Sequence, residues 1–259
     1  MATSGKTSIR GPWPATFQGG RPEMNSYRKT AITVGILFVI ATVINVLGNV
    51  IFVNPFLDAP DYLLKVSANG NQVILGGLLV LFSAFASAGI AIWLYPVLKK
   101  HHEALALGSV GFRVVEGMLY ILGVVGLLSL LALSQEYVKA GASNGSVFQV
   151  SGTLLLAIKK WAGQLAVIAF TVGGMMYYYV FYQSKLIPRW LSGWGFLAAA
   201  ASLAAALLAI TGLVIPFSTV FILLQLPIAV QEMVLAAWLI VKGFNPSAVA
   251  SLSAKTATN

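Results

Sequence analysis

Gly108-Ser109-Val110-Gly111-Phe112-Arg113-Val114-Val115-Glu116-Gly117-Met118-Leu119-Tyr120 continues without a further charge to Leu133. An α-helix rises 1.5 Å per residue, so about 20 apolar residues cross a hydrocarbon layer of about 30 Å. This stretch is long enough to cross, yet it carries Arg113 and Glu116 near its start. A charge at a helix centre costs about 2.5–3.5 kcal/mol on insertion scales and persists only with a partner or beside a wet cavity. The three-residue spacing puts both charges on one helical face. Glu232 interrupts a second such run near the C-terminus.

Working outward, five further runs of spanning length appear: Thr30–Val53, Gln72–Leu98, Trp161–Tyr182, Trp190–Val214 and Phe217–Val241. Ahead of Trp161, the apolar segment Val147–Ile158 ends at Lys159-Lys160 and reads either as an interfacial helix or as an extension of the fourth span. The chain is 58% hydrophobic and 9% charged, against about a quarter charged in soluble domains. The predicted fold class is all-α: a polytopic integral membrane protein built as a six-transmembrane-helix bundle. Residues 1–28 and 246–259 read as flexible cytoplasmic tails flanking a membrane domain at 29–245. The long polar lead and the absence of a small-x-small cleavage site argue against a secretory signal.

Basic residues set the expected orientation. With the N-terminus in the cytoplasm, Lys6, Arg10, Arg21, Arg28, Lys29, Lys99, Lys100, Lys185, Arg189, Lys242 and Lys255 lie inside, and Lys65, Lys139, Lys159 and Lys160 outside, eleven against four. Both termini are expected inside. Trp93, Tyr95, Tyr177-Tyr178-Tyr179, Tyr182, Trp190 and Trp194 form an aromatic belt toward the same side. On this topology Arg113, Glu116 and Glu232 agree in depth to within about a turn. A cluster joining the third and sixth spans is expected, with one carboxylate in surplus.

The sixth span carries Leu226-Pro227-Ile228. A mid-helix proline removes one hydrogen bond and leaves the carbonyl four residues back, that of Leu223, without its donor, so a kink is expected at Pro227. Gln225 and Gln231 sit around it and join Arg113, Glu116 and Glu232 as candidate ligand- or ion-binding residues. Asn45, Asn49 and Gln164 lie nearer the outer ends, either lining a vestibule or bonding across helices. The bland alternative for the cluster is a permanent structural pairing that fixes how two helices pack.

The residue inventory excludes much chemistry. There is no cysteine, hence no disulfide, thiolate nucleophile or Cys-bound metal. The only histidines, His101 and His102, are adjacent in a polar connector and cannot supply haem ligands from facing helices. Asp58 and Asp61 offer too few oxygens for calcium. Gly108-Ser109-Val110-Gly111 has the outline of a nucleophile motif but no intramembrane histidine to serve it. No cofactor, no bound metal and no catalytic residue is expected. The net charge of +9 belongs to short segments beside the spans, so nucleic acid is not an expected partner. The expected partners are the lipid bilayer and, within it, another membrane protein or a second copy of the chain.

Gly111-Phe112-Arg113-Val114-Val115-Glu116-Gly117, Pro96-Val97-Leu98-Lys99 and Leu226-Pro227-Ile228-Ala229-Val230-Gln231-Glu232-Met233 through Trp238 to Phe244 also carry a resemblance. Over about residues 29–245 the chain resembles the bacterial multi-spanning membrane proteins grouped as domain of unknown function 4386. The resemblance implies six helices in a prokaryotic cytoplasmic membrane and implies no activity. The functional expectation is non-enzymatic handling of an ion or small molecule, or membrane sensing, through the Arg–Glu–Glu cluster. An accessory subunit of a membrane complex is the alternative, and a glutamate-based lipid enzyme a more distant one.

Overall fold

A chain inside hydrocarbon has no water to satisfy its peptide groups, so these apolar runs can cross only as helices that bond internally. The computed structural model describes residues 20–141, 145–216 and 218–250. Helix α1 (Gly20–Val39) is continued by two stretches of wide π-helical turns, Ile40–Ile44 and Leu47–Val53, and by the single turn α2 (Asn54–Leu57). There follow α3 (Tyr62–Ala68), α4 (Gly70–Leu98), α5 (Glu103–Lys139), α6 (Gly145–Ser184), α7 (Arg189–Ile210) and α8 (Thr219–Val241). Among the described residues six helical stretches are long and apolar enough to cross a membrane: Asn25–Leu57, α4, α5, α6, α7 and α8. The protein is therefore a multi-pass membrane protein surrounded by lipid.

Each span packs against the one before it, and α8 returns to α1, so the six close into a ring in chain order. Phe82, Phe85, Leu197 and Leu223 are at least 59% exposed on its outside, as a lipid-facing surface requires. Inside, small residues let backbones approach. A Cβ built on Gly48 would lie 2.9 Å from the Gly76 carbonyl oxygen, too close for any side chain, which brings the first span and α4 into backbone contact. On α7, Ala198, Ala199, Ser202, Ala205 and Ala206 are buried against the neighbouring spans. Arg28 secures the seam between α1 and α8: its guanidinium donates to the carbonyls of Leu239, Ile240 and Val241 at 3.1, 2.6 and 3.3 Å, capping the C-terminal end of α8.

Several boundaries differ from the sequence expectation. Of the two readings of Val147–Ile158, the extension of the fourth span is the one found. Helix α6 runs unbroken for 40 residues, about 60 Å at the helical rise, and α5 runs for 37. The two pack on each other along their length, so their ends stay helical beyond the hydrocarbon because each covers the other's apolar face. Leu63 and Val66 likewise bury α3 against Leu130, Leu127 and Leu131, making a further helix between the first span and α4. Helix α1 begins at Gly20, inside the expected tail, and residues 246–250 are helical with Ala248 and Val249 buried. Residues 1–19 and 251–259 of the two expected tails lie outside the described residues. Helix α8 continues through Pro227.

One end of the ring is closed. Phe38, Leu94, Leu98, Tyr177, Tyr178 and Phe181 are fully buried in a single apolar cluster, sealed beneath by Phe244 and Val249. This is the end that carries the connector at 99–102 and the turn at 185–188.

Candidate functional site

Arg113 is about 1% exposed, and four helices supply its surroundings. From α4, Ser87 Oγ accepts from Nη1 at 2.8 Å. From one turn along α5, Glu116 Oε2 accepts from the same nitrogen at 3.2 Å. From α6, Tyr177 Oη accepts from Nη2 at 2.7 Å, and the Phe170 ring lies 4.6 Å from the guanidinium carbon. From α8, Glu232 Oε1 stands 3.6 Å from Nη2, an ion pair beyond hydrogen-bond reach. The other oxygen of Glu232, Oε2, accepts from Thr42 Oγ1 on the first span at 2.8 Å. A planar guanidinium satisfies several acceptors at fixed angles, so one arginine joins four elements of the ring. It leaves Glu232 as the carboxylate it holds least closely.

The cluster forms the floor of a cavity of about 620 Å³ enclosed by the ring, within the range of about 300–1,000 Å³ usual for small-molecule sites. Its walls carry Val46, Val80, Val124, Val167, Phe221 and Ile228, interrupted by Asn45, Asn49, Gln164 and Gln225. Asn54, Asp58, Lys160, Ile215 and Pro216 lie at the end away from the aromatic seal. The cavity thus runs from the end bearing the connectors after α2 and α7 down to Arg113, Glu116 and Glu232, with Tyr177 bonded to Arg113 and Phe38 packed on Tyr177.

The structure places the sequence candidates unequally. Arg113, Glu116 and Glu232 meet at the floor. Gln225 lines the cavity and accepts a hydrogen bond from Ser202 Oγ on α7. Gln231 turns the other way: its Oε1 accepts from Tyr178 Oη at 2.6 Å and its Nε2 donates to the Leu191 carbonyl at 3.2 Å, tying α6, α7 and α8 together. Adjacent residues of a helix point about 100° apart, so Gln231 and Glu232 face different neighbours. Pro227 does not line the cavity, although Ile228 and Ala229 do. Asn45, Asn49 and Gln164 line it. His102 caps α5, its Nδ1 accepting from the Leu105 amide at 3.3 Å.

Thr42, Ser87, Tyr177, Phe170 and Lys159 are part of the site and were not singled out as such from the sequence. A lone hydroxyl or ring in an apolar run carries no mark of its partner. Only the seven-residue spacing of Thr42 and Asn49, with Asn45 between, hints at a shared polar face. The π-helical turns present that face to the cavity, and where they widen, Ser83 Oγ donates to the Ala41 carbonyl at 2.8 Å. Such turns recur at functional sites.

Residues 33–243 match the family described as domain of unknown function 4386. The chain belongs to this family. The matched region contains every charged residue of the cavity floor and walls, so the site lies within the domain that defines the family. No curated protein and no solved structure matches the chain.

Proposed function

We propose that this member of the family is a non-enzymatic membrane protein that binds a small cation, or a ligand bearing one, in the central cavity, with the Glu232 carboxylate as its receiving group. The observation that carries this reading is the charge balance of the floor: two carboxylates, Glu116 and Glu232, share one guanidinium, and Glu232 Oε1 lies 3.6 Å from it at the base of the cavity. An uncompensated charge in a low-dielectric site costs several kcal/mol, and a bound cation removes that cost. A polar-floored cavity favours ligand handling over a purely structural pairing, for which a dry interior suffices. The basic-residue bias supports placing both termini in the cytoplasm of a prokaryote, which turns the open end of the cavity outward.

The test uses purified full-length protein in detergent and n-octylamine, a cation with an apolar tail suited to the walls, with binding read by calorimetry. The wild type is expected to bind, and Glu232→Gln to weaken binding at least tenfold while eluting as the wild type does. Because glutamine keeps the volume and can still accept from Thr42, loss of affinity reports the charge. Equal affinity in the two proteins overturns the proposal and leaves the cluster as a packing device.

A further inference from the structure

Above the floor the same cavity holds a second charge. Lys159 of α6 lines it, and its Nζ donates to Asn49 Oδ1 on the first span at 3.3 Å. Asn49 is held in turn, its Nδ2 donating to the carbonyl and the Oδ1 of Asn45 at 3.2 Å. Among the described residues no carboxylate pairs with Lys159 within 4 Å, whereas Lys65 and Lys139 each have one. The ammonium is therefore positioned by a neutral amide and lacks a close counter-ion, since Asp58, which shares the lining and acts on it through space, stays beyond ion-pair distance. An anionic group entering the cavity would supply it.

The separation between the two charges follows from the first span, which touches both. Thr42 donates to Glu232 and Asn49 accepts from Lys159, and their seven-residue offset corresponds to roughly 10 Å along the helix. Around the two levels the walls are chiefly Val46, Val80, Val124, Val167 and Phe221. Of the polar groups among them, Gln164 is 7% exposed, and its Oε1 has no hydrogen-bond partner among the described residues. A buried acceptor of this kind is satisfied by a donor on a bound molecule.

Resting on the reading of Glu232 as the receptor for a cation, we infer that the ligand is zwitterionic: an ammonium group seated at Glu232, an anionic group at Lys159, and a mainly apolar stretch of roughly 10 Å between them. Opposite charges at the two ends of a narrow cavity also fix the direction in which such a ligand enters, because reversal sets like charges against each other at both levels.

Three probes separate the possibilities: ω-aminooctanoate, whose extended chain spans about the required distance, n-octylamine, which lacks the acid, and octanoate, which lacks the amine. Binding is measured by calorimetry on the purified full chain in detergent. In the wild type, ω-aminooctanoate is expected to bind about tenfold or more tightly than n-octylamine, the worth of one charge-assisted contact, and octanoate more weakly than either. Lys159→Gln should bring ω-aminooctanoate down to the affinity of n-octylamine, whose own binding should not fall because a like charge is removed, and Lys159→Arg should retain the difference. The wild-type comparison needs no variant and stands if Lys159→Gln does not fold. Equal wild-type affinity for ω-aminooctanoate and n-octylamine, with both dependent on Glu232, overturns the zwitterion inference and leaves the proposed function in place. Absence of any Glu232-dependent amine binding overturns both.

Discussion

Arg113 is the residue on which the interior depends, because its two terminal nitrogens serve Ser87, Glu116, Tyr177 and Glu232 at once. Arg113→Ala leaves two carboxylates facing each other with no cation between them. Removing one partner of a buried ion pair costs about 3–5 kcal/mol, so the variant should show a strongly lowered Tm in detergent or fail to accumulate. Arg113→Lys keeps the charge but replaces a planar fork with a point donor. It is expected to fall between wild type and alanine in the same thermal assay. A variant at position 113 as stable as wild type would mean that the cluster carries little of the fold. The three charges stand out in the sequence because each breaks an apolar run. Their partners Ser87, Thr42 and Tyr177 do not, since hydroxyls are common in membrane helices and only the folded chain shows which of them turn inward.

Among the elements, the first span is the most unusual. Its π-helical stretches hold the cavity-lining residues Thr42 and Asn49, with Asn45 between them, and its Gly48 lies against Gly76 of α4. Gly48→Val places a branched side chain where the backbones meet. Overpacking of this kind costs about 1–3 kcal/mol, and the variant should lower Tm while Gly111→Val, where an added Cβ meets nothing within 4 Å, should not. At the other end of the span, Arg28 caps α8 through three carbonyls. Arg28→Gln is expected to loosen the α1–α8 seam, seen as faster amide hydrogen exchange in the last turn of α8 with exchange in α5 unchanged. Pro227 shows the limit of reading one element alone. Its effect on hydrogen bonding is predictable from covalent chemistry, but whether it faces a ligand depends on the rotation of α8, which turns Ile228, Ala229 and Glu232 to the cavity.

At the scale of the molecule, ring closure in chain order makes the spans alternate in direction, so the connector at 99–102, the turn at 185–188 and residues 246–250 share one end with the start of α1, and the cavity opens at the other. Single cysteines introduced near Asn69 and Ser143 should react with an impermeant thiol reagent from outside intact cells, and those near His101 and Ser251 only after permeabilisation. The opposite pattern would reverse the proposed orientation and turn the cavity mouth inward. By itself the sequence determined that the chain is an all-helical, six-span membrane protein of its family and that three charges lie at similar depth, because apolar length, helical rise and the cost of a charge in hydrocarbon act on each segment independently of its neighbours. Only the tertiary structure decided that Gln231 faces the helix packing while Lys159 faces the cavity, that α6 is one helix and that the spans enclose a cavity with one closed end. Those outcomes depend on how each helix is rotated and which neighbours bury its faces, and a run that is apolar on every side carries little record of that rotation.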